Sequence, residues 1–210
     1  MKNFILRFVS SIILLPFFLY IIYRNDLFFI LLLFFIFLTC IYEIFKNIKN
    51  KIIIIFLLLL LFIFIFSIYN LRQVGIEDFA KCVWIFSIVW LSDVGGYFFG
   101  KIFGGIKLSK FSPNKTISGL VGSIILSQIA FYFPSKILYN FTYGFNIFLT
   151  QLFLCIVSVF GDIFFSYIKR KNNIKDYSNL IPGHGGLLDR IDGFIFVIIF
   201  GYIFKLANVL

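Results

Sequence analysis

Ionisable side chains are concentrated in one short stretch of this sequence, residues 166–192, which reads SYIKRKNNIKDYSNLIPGHGGLLDRID. Long apolar segments flank it on both sides. Charged groups next to a bilayer are costly to keep, so their presence favours a functional role. Cations and carboxylates around a Pro-Gly-His-Gly-Gly turn suit a pocket for a metal ion and a phosphate-bearing substrate. The charged residues and the histidine are Lys169, Arg170, Lys171, Lys175, Asp176, His184, Asp189, Arg190 and Asp192.

A further carboxylate, Asp162, lies inside the apolar segment that precedes this stretch. Ser166 and Lys169 follow at i+4 and i+7, so helical spacing places the three side chains on one face. Hard cations such as Mg²⁺ bind carboxylate oxygens and leave positions for phosphate and water, which would make a carboxylate here reasonable. A structural ion pair between Asp162 and a nearby lysine is the alternative.

A helix is predicted to begin near Leu187, directly after Gly185 and Gly186. Glycines let the backbone approach a ligand closely, and a helix N-terminus favours a bound anion. Asp189 and Asp192 share a face of this helix and could complete a metal site with the carboxylate of the preceding segment. Alternatively, they are first-turn acids that the helix dipole favours.

His184 is the only histidine of the chain. A phosphate nucleophile is already ionised at neutral pH and needs no strong base, so hydrogen bonding or positioning is favoured over proton transfer. Arg190 could bind a phosphate through two parallel hydrogen bonds.

Two polar segments lie earlier in the chain. Lys115, in Ser-Pro-Asn-Lys-Thr before a predicted helix, suits a triphosphate, although the segment could be a simple turn before a helix N-cap. Asp93 lies inside a predicted membrane span, either at the site or as a structural polar partner. Gly96, Gly100 and Gly104 follow it at intervals of four, which predicts close helix packing.

Composition indicates an integral membrane protein, because 61% of the residues are hydrophobic and only 13% are charged. The formal net charge of +10 does not indicate nucleic acid, since the basic residues lie in short loops between apolar runs. That placement fits anionic lipid headgroups and phosphate substrates. Cys40, Cys82 and Cys155 lie singly, so neither a zinc site nor a disulfide framework is expected.

We predict an all-α protein of about seven membrane helices, since a bilayer core needs ~20 helical residues per span. A cytoplasmic N-terminus places most of the 19 Lys and Arg residues on the cytoplasmic side. One polytopic domain, 1–210, is expected, with scaffold helices in 1–75 and catalytic helices and cytoplasmic loops in 78–210. The predicted spans are roughly 4–23, 27–45, 52–70, 79–100, 117–137, 145–168 and 187–207.

The stretch 166–192 resembles the signature of the phosphatidate cytidylyltransferases (CDP-diacylglycerol synthases). The matching residues are Ser166, Lys169, Arg170, Lys175, Asp176, Ser178, Pro182, His184, Gly185, Gly186, Asp189, Arg190 and Asp192. Ser112-Pro-x-Lys115-Thr116 is similar to a second motif of that family, with Ser118 in place of the usual acid. Asp93 and Tyr97 are similar to a third. The resemblance covers roughly residues 90–200, the catalytic half of the family.

The resemblance implies that CTP and phosphatidate react to give CDP-diacylglycerol and pyrophosphate, for phospholipid biosynthesis at the bacterial inner membrane with the site facing the cytoplasm. It implies Asp162 and Asp189 as ligands of Mg²⁺, with room for a second cation. Asp192, Lys169 and His184 would complete the catalytic set. The residues expected to bind substrate are Asp93, Ser112, Lys115, Thr116, Ser166, Arg170, Lys175, Asp176, Gly185, Gly186 and Arg190.

Two other functions fit part of the pattern. A CTP-dependent lipid-alcohol kinase would need the same charges but would release CDP. A non-enzymatic transporter of a phosphorylated anion is less consistent, because the charges cluster at one membrane face and not at the midplane. The glycine-rich faces would also allow a homodimer, although internal packing would use them equally well.

Overall fold

A computed structural model describes residues 18–73, 75–137, 144–178, 180 and 185–208, together with Pro16. Every named secondary-structure element among these residues is a helix, and Lys107 and Thr116 form an isolated antiparallel bridge. The prediction of an all-α fold is therefore confirmed for the part of the chain that is described.

The described residues include seven α-helices and one 3-10 turn with both ends given. They are α1 (Leu27–Asn47), α2 (Lys51–Leu71), α3 (Ile76–Phe103), α4 (Ile117–Ser127), the 3-10 turn (Gln128–Phe131), α5 (Tyr132–Ile137), α6 (Phe145–Lys171) and α7 (Leu188–Leu206). Residues 18–24 are also helical. Three helices begin at a polar residue whose side chain accepts a hydrogen bond from a first-turn amide, namely Asp26, Asn50 and Thr116.

Five helical stretches are long and apolar enough to cross a membrane: Leu27–Asn47, Lys51–Leu71, Ile76–Phe103, Ile117–Ser135 and Phe145–Lys171. They coincide with five of the seven predicted spans. Most of the first predicted span, 4–23, lies outside the described residues. Helix α7 occupies the last predicted span, but its charged residues Asp189, Arg190, Asp192 and Lys205 keep it out of this set. A total of seven spans and the cytoplasmic N-terminus stay predictions.

The outer faces of α1 and α2 are apolar, with Phe28 and Phe34 on the first and Ile52 and Phe62 on the second all exposed. Such surfaces suit lipid tails, in agreement with a scaffold role for these helices. Helix α7 packs against α2, α3 and α6 in the interior of the bundle.

Helices α3 and α4 pack with their backbones in contact. A Cβ atom on Gly95 would lie 2.7 Å from the carbonyl carbon of Gly122 and 3.0 Å from Cα of Ser123. One on Gly96 would lie 2.9 Å from Oγ of Ser123, and one on Gly100 would also meet α4 and its cap. The predicted close packing of Gly96 and Gly100 is confirmed. Within this chain α4 already covers that face, which leaves it unavailable to a second copy.

Gly104 was expected to extend the same packing face, and this prediction is wrong. A Cβ atom there would meet nothing within 4 Å. Gly104 instead ends α3 with φ +58°, in the left-handed region that glycine adopts without strain at a helix C-terminus.

Two cations, the partly buried Lys205 and the buried Arg72, tie the helices together at the end of the bundle where α2 ends and α3 begins. Lys205 donates from Nζ to the carbonyl oxygens of Asn70 and Leu71, at 3.1 Å each, and lies 2.8 Å from Oδ1 of Asp78. These carbonyls belong to the last turn of α2, where carbonyl oxygens have no hydrogen-bond donor within the helix. The Lys205 side chain therefore joins α7, α2 and α3.

Arg72 makes a similar connection beside it, with only 5% of its surface exposed. Its guanidinium donates to the carbonyl oxygens of Ile22 at 2.8 Å, Tyr23 at 2.9 Å and Gln73 at 2.6 Å. Arg72 thus caps the helical residues 18–24 at their C-terminal end.

Candidate active site

At the opposite end of the bundle, the C-terminal half of α6 and the first turns of α7 bring three charged residues of the signature stretch together. Lys169 Nζ lies 2.7 Å from Oδ1 of Asp189 and 3.8 Å from Oδ2 of Asp192. The side chains are 12%, 4% and 16% exposed, respectively. Ion pairs this far from solvent are weakly screened, so the ammonium group holds both carboxylates in place.

Asp162 approaches the same group because α6 and α7 pack through glycines. A Cβ atom on Gly161 would lie 3.3 Å from Cα of Gly193, and one on Gly193 would lie 2.7 Å from Oδ1 of Asp162. This contact places the Asp162 carboxylate against Gly193, the residue that follows Asp192. Two like charges in a partly buried place favour a cation between or beside them.

That cation is supplied, in part, by the loop before α4. Lys115 forms an ion pair with Oδ2 of Asp162. The loop folds back on itself through hydrogen bonds from Leu108 N to Lys115 O, 2.8 Å, and from Ile117 N to Ile106 O, 2.9 Å. The structural alternative foreseen for Asp162, pairing with a lysine, is what the structure shows.

The remaining polar residues of this loop shape the backbone. Thr116 accepts a hydrogen bond from Gly119 N, 3.1 Å, and so caps α4, while Lys115 N donates to the carbonyl oxygen of Ser112, 3.1 Å. Ser118, which stands where the related motif carries an acid, donates to the carbonyl oxygen of Gly104. The turn and N-cap interpretation of this segment is confirmed, and it places Lys115 in the site.

A cavity of about 280 Å³ lies between α3, α4, α6 and this loop. Asp93 and Tyr97 line it from α3, and Lys115 and Thr116 line it from the loop. Asp93 therefore faces the same space as Lys115. The other lining residues are Ser92, Gly96, Leu108, Asn114, Gly119, Leu120, Ser123 and Val159.

Asp189 also organises the loop that leads into α7. Its Oδ2 accepts hydrogen bonds from Tyr177 N, 2.7 Å, and from Gly186 N, 3.0 Å. Gly185 has φ +87°, and a Cβ atom there would lie 3.2 Å from the same oxygen. The first-turn role foreseen for Asp189 is thus present alongside its ion pair with Lys169.

Tyr177 lies beneath this loop, with 1% of its surface exposed. Burial raises the pKa of its phenol, and the negative charges of Asp189, Asp192 and Glu43 raise it further. The ammonium group of Lys169 lies 5.7 Å from the centroid of the ring. The phenol of Tyr177 is therefore uncharged and packs beside the carboxylate cluster.

From sequence, Glu43 at the end of the predicted span 27–45 is more readily an interfacial residue than a catalytic one, and the structure shows its side chain fully buried. Its Oε1 accepts from Ser178 Oγ, 2.5 Å, and Leu187 N, 2.9 Å, and its Oε2 accepts from Leu188 N, 2.8 Å. Glu43 is the only charged residue of its predicted span, 27–45, which was the available signal for a special role.

The other predicted site residues lie around this centre. Ser166 is half-buried on α6, one turn after Asp162, and Gly185 and Gly186 form the entry to α7. Four more are exposed to solvent, namely Arg170, Lys175, Asp176 and Arg190. Arg170 donates to the carbonyl oxygen of Ile174, 3.4 Å, within its own loop. His184 lies outside the described residues.

The residues present fit a metal that is shared with substrate. Among the described residues, no three His, Cys, Asp or Glu side chains form a group that could hold a metal unaided. Mg²⁺ usually takes one or two carboxylates and completes its shell with water and substrate phosphates. Asp162 and Asp189 offer such oxygen donors, and the buried Ser158 hydroxyl, one turn before Asp162, has no hydrogen-bond partner among the described side chains and backbone.

These features define a helical membrane protein with a row of alternating carboxylates and lysines beside a cavity, suited to phosphate groups. The sequence model of the cytidylyltransferase family matches residues 46–207, most of the chain. The chain belongs to this family.

Curated relatives agree with this assignment. The chain is similar to the phosphatidate cytidylyltransferase of Staphylococcus haemolyticus (strain JCSC1435), with 42% identity over 134 residues, 62% of this chain and 49% of the relative. The phosphatidate cytidylyltransferase of Bacillus subtilis (strain 168) is 39% identical over 140 residues, 64% of this chain and 49% of the relative. The one of Brucella abortus biovar 1 (strain 9-941) is 39% identical over 137 residues, 63% and 50% of the two chains. The matches span about half the length of these relatives.

Proposed function

We propose that this protein transfers a cytidylyl group from CTP to phosphatidate, giving CDP-diacylglycerol and pyrophosphate. Membership of the cytidylyltransferase family and the names of the relatives support the reaction. The observation that carries the proposal is the Lys115–Asp162 ion pair, in which a cation that lines the cavity contacts a carboxylate from a separate motif.

In the proposed reaction an oxygen of the lipid phosphate attacks the α-phosphorus of CTP. The bond from that phosphorus to the oxygen of the β-phosphate breaks, and pyrophosphate leaves with the electron pair. The nucleophile is already ionised, so the protein acts mainly by positioning and by neutralising charge. Lys115 and Lys169 would donate to phosphate oxygens, and the exposed Arg190 and Arg170 would bind phosphates at the edge of the site.

Mg²⁺ is proposed as the cofactor, held by Asp162 and Asp189 with Asp192 beside them. When bound, it would neutralise charge on the reacting phosphates. Lys115 and Lys169 pair with these two carboxylates, so both ammonium groups would lie close to phosphates bound beside the metal site. A second cation stays a prediction.

Tyrosine–lysine pairs support a location of the site at the membrane surface. Helices α1, α3 and α6 all end near the site, and each carries a lysine one turn after an exposed tyrosine. The pairs are Tyr42–Lys46, Tyr97–Lys101 and Tyr167–Lys171, with the ammonium group 5.5, 5.6 and 5.9 Å from the ring centroid. Such groups suit the level of anionic headgroups. We propose that phosphatidate enters laterally from the cytoplasmic leaflet of a bacterial inner membrane.

The decisive assay is phosphatidate-dependent release of pyrophosphate from CTP by the purified protein with Mg²⁺, with CDP-diacylglycerol identified by mass. At a limiting Mg²⁺ concentration, Asp162→Asn should lower the yield of both products by the same factor. Release of CDP on addition of a lipid alcohol would support the kinase alternative instead. Movement of a phosphorylated solute into vesicles, without either reaction, would support the transporter.

The proposed orientation is tested separately by thiol labelling in intact and inverted membranes. The three natural cysteines are all buried, so the background is low. Lys110→Cys, in the exposed loop before α4, should react only with reagent on the cytoplasmic side. Glu77→Cys, in the exposed first turn of α3, should react only from the other side. The reverse pattern would refute the orientation.

A further inference from the structure

We infer that Glu43, on the first described membrane helix, is a positioning residue that fixes the start of α7 and thereby the orientation of Asp189. The inference rests on the proposed function for its catalytic consequence, but its structural part can be tested alone. Glu43 precedes the residues that match the family model, which begin at residue 46. The inference therefore gives α1, one of the helices predicted to be scaffold, a role in the site.

The contacts of Glu43 are those of a helix cap supplied from a different helix. The first four amides of a helix have no partner within it. Helix α7 has no side-chain cap from its own preceding residue, and the Glu43 carboxylate accepts from Leu187 N and Leu188 N at its start. A carboxylate here is stabilised by the helix dipole and by charge-assisted hydrogen bonds.

The fit between Glu43 and the glycine turn is close. A Cβ atom on Gly186 would lie 2.6 Å from Oε1 of Glu43 and 2.9 Å from its Cδ. No side chain can be added at Gly186 without displacing the carboxylate. Ser178, on the other side of the turn, donates its hydroxyl to the same oxygen, so Glu43 holds both ends of the loop that precedes α7.

A second contact from α1 ties the loop to Asp189. Asn47, one turn after Glu43, donates from Nδ2 to the carbonyl oxygens of Glu43, 2.8 Å, and of Tyr177. Tyr177 in turn donates its amide to Oδ2 of Asp189. The last turn of α1 and the first turn of α7 thus both hold the same loop, and the other oxygen of Asp189, Oδ1, forms the ion pair with Lys169.

Burial of Glu43 without a basic partner favours a positioning role over simple stabilisation. None of the ion pairs among the described residues includes Glu43. An apolar residue would cost less to bury at this depth. The value of the carboxylate therefore lies in the hydrogen bonds that its oxygens accept. A glutamine would retain one acceptor oxygen but would point an NH₂ group at a backbone N–H, so at least one of these hydrogen bonds would be lost.

The test compares Glu43→Gln with Glu77→Gln, the same substitution at an exposed glutamate on α3. The first readout is hydrogen exchange of the amides at 185–190 in detergent, which needs no activity. In Glu43→Gln these amides should exchange at least about tenfold faster, because hydrogen bonds to a charged acceptor are lost. Amides in the α3–α4 contact should be unchanged, and Glu77→Gln should match the wild type throughout.

The second readout is turnover per folded molecule. A displaced catalytic carboxylate lowers kcat by about 10- to 100-fold, with the KM for phosphatidate little changed. Faster exchange with unaltered kcat would overturn the positioning role, leaving Glu43 as a stabilising residue only. Unaltered exchange would overturn the inference as a whole. Loss of all transfer activity in the wild type would refute the proposed function, and the exchange result would still stand.

A milder variant covers the case in which Glu43→Gln does not fold. Ser178→Ala removes one donor to the carboxylate and leaves the charge and both backbone contacts in place. It should lower kcat by a few-fold and speed exchange at 185–190 by less than the glutamate substitution, because one net hydrogen bond contributes little. Wild-type values for both quantities would count against the inference.

Discussion

The ammonium group of Lys115 forms an ion pair with the carboxylate of Asp162, although 47 positions separate the two residues in the chain. The pair joins the loop before α4 to the C-terminal half of α6. It is the contact through which two separate polar motifs become one site.

Replacing Lys115 with alanine should lower cytidylyl transfer by about 10²- to 10³-fold, the usual effect of removing one preorganised donor to a developing negative charge. The measurement is the initial rate of pyrophosphate release. Lys110→Ala is the matched control, because Lys110 is an exposed lysine of the same loop. Equal losses in the two variants would show that only the general positive charge of the loop matters.

Removal of divalent cations should abolish turnover, and Mg²⁺ should restore it, since the carboxylates offer the oxygen donors that this ion takes. Asp162→Asn should raise the Mg²⁺ concentration needed for half-maximal rate by at least about tenfold, as expected when one of few charged ligands is lost. Asp26→Asn serves as the control, because asparagine also caps a helix well. Full activity of the wild type in excess chelator would rule out the metal.

Gly95→Ala should destabilise the protein by about 1–3 kcal/mol, because the added methyl group must push the α3 backbone away from α4. The measurement is thermal unfolding in detergent. Gly144→Ala should cost less than about 1 kcal/mol, since a Cβ atom there meets nothing within 4 Å and only a mild N-cap preference is lost. A melting temperature in Gly95→Ala equal to that of the wild type would contradict the backbone contact.

Tyr177 should make stability fall at alkaline pH. Its pKa is raised in the folded protein by burial and by neighbouring carboxylates, while the unfolded chain titrates near the usual value of about 10. The unfolded state therefore loses the proton first, and stability that is complete below pH ~10 is lost as the pH rises toward the folded-state pKa. Tyr177→Phe should show a shallower loss above that pH. Tyrosinate absorbance will show one fewer group titrating after unfolding, and identical slopes would refute the assignment.

Much of the site could be predicted from sequence because its residues share short segments. The i+7 spacing of Asp162 and Lys169 fixes their common face on α6, and the Asp189–Asp192 spacing does the same on α7. The structure adds what the spacing did not predict, namely that Asp189 and Asp192 both approach the ammonium group of Lys169.

Glu43 could not be placed in the same way. Its partners, Ser178 and the amides of Leu187 and Leu188, lie about 140 positions later in the chain, and no local spacing links them. Gly104 shows the complementary difficulty, because a spacing of four suits both a packing face and a helix end, and only the backbone angle separates the two.

Lys205 and Arg72 give the bundle an asymmetry between its two ends. At their end, these two cations join four helix termini through backbone carbonyls and the Asp78 carboxylate, whereas the site end is held largely by ion pairs between side chains. Assembly and chemistry are therefore spatially separate. Substitutions at the Lys205 end are therefore expected to impair folding. Substitutions at the Lys169 end are expected to leave a folded protein without activity.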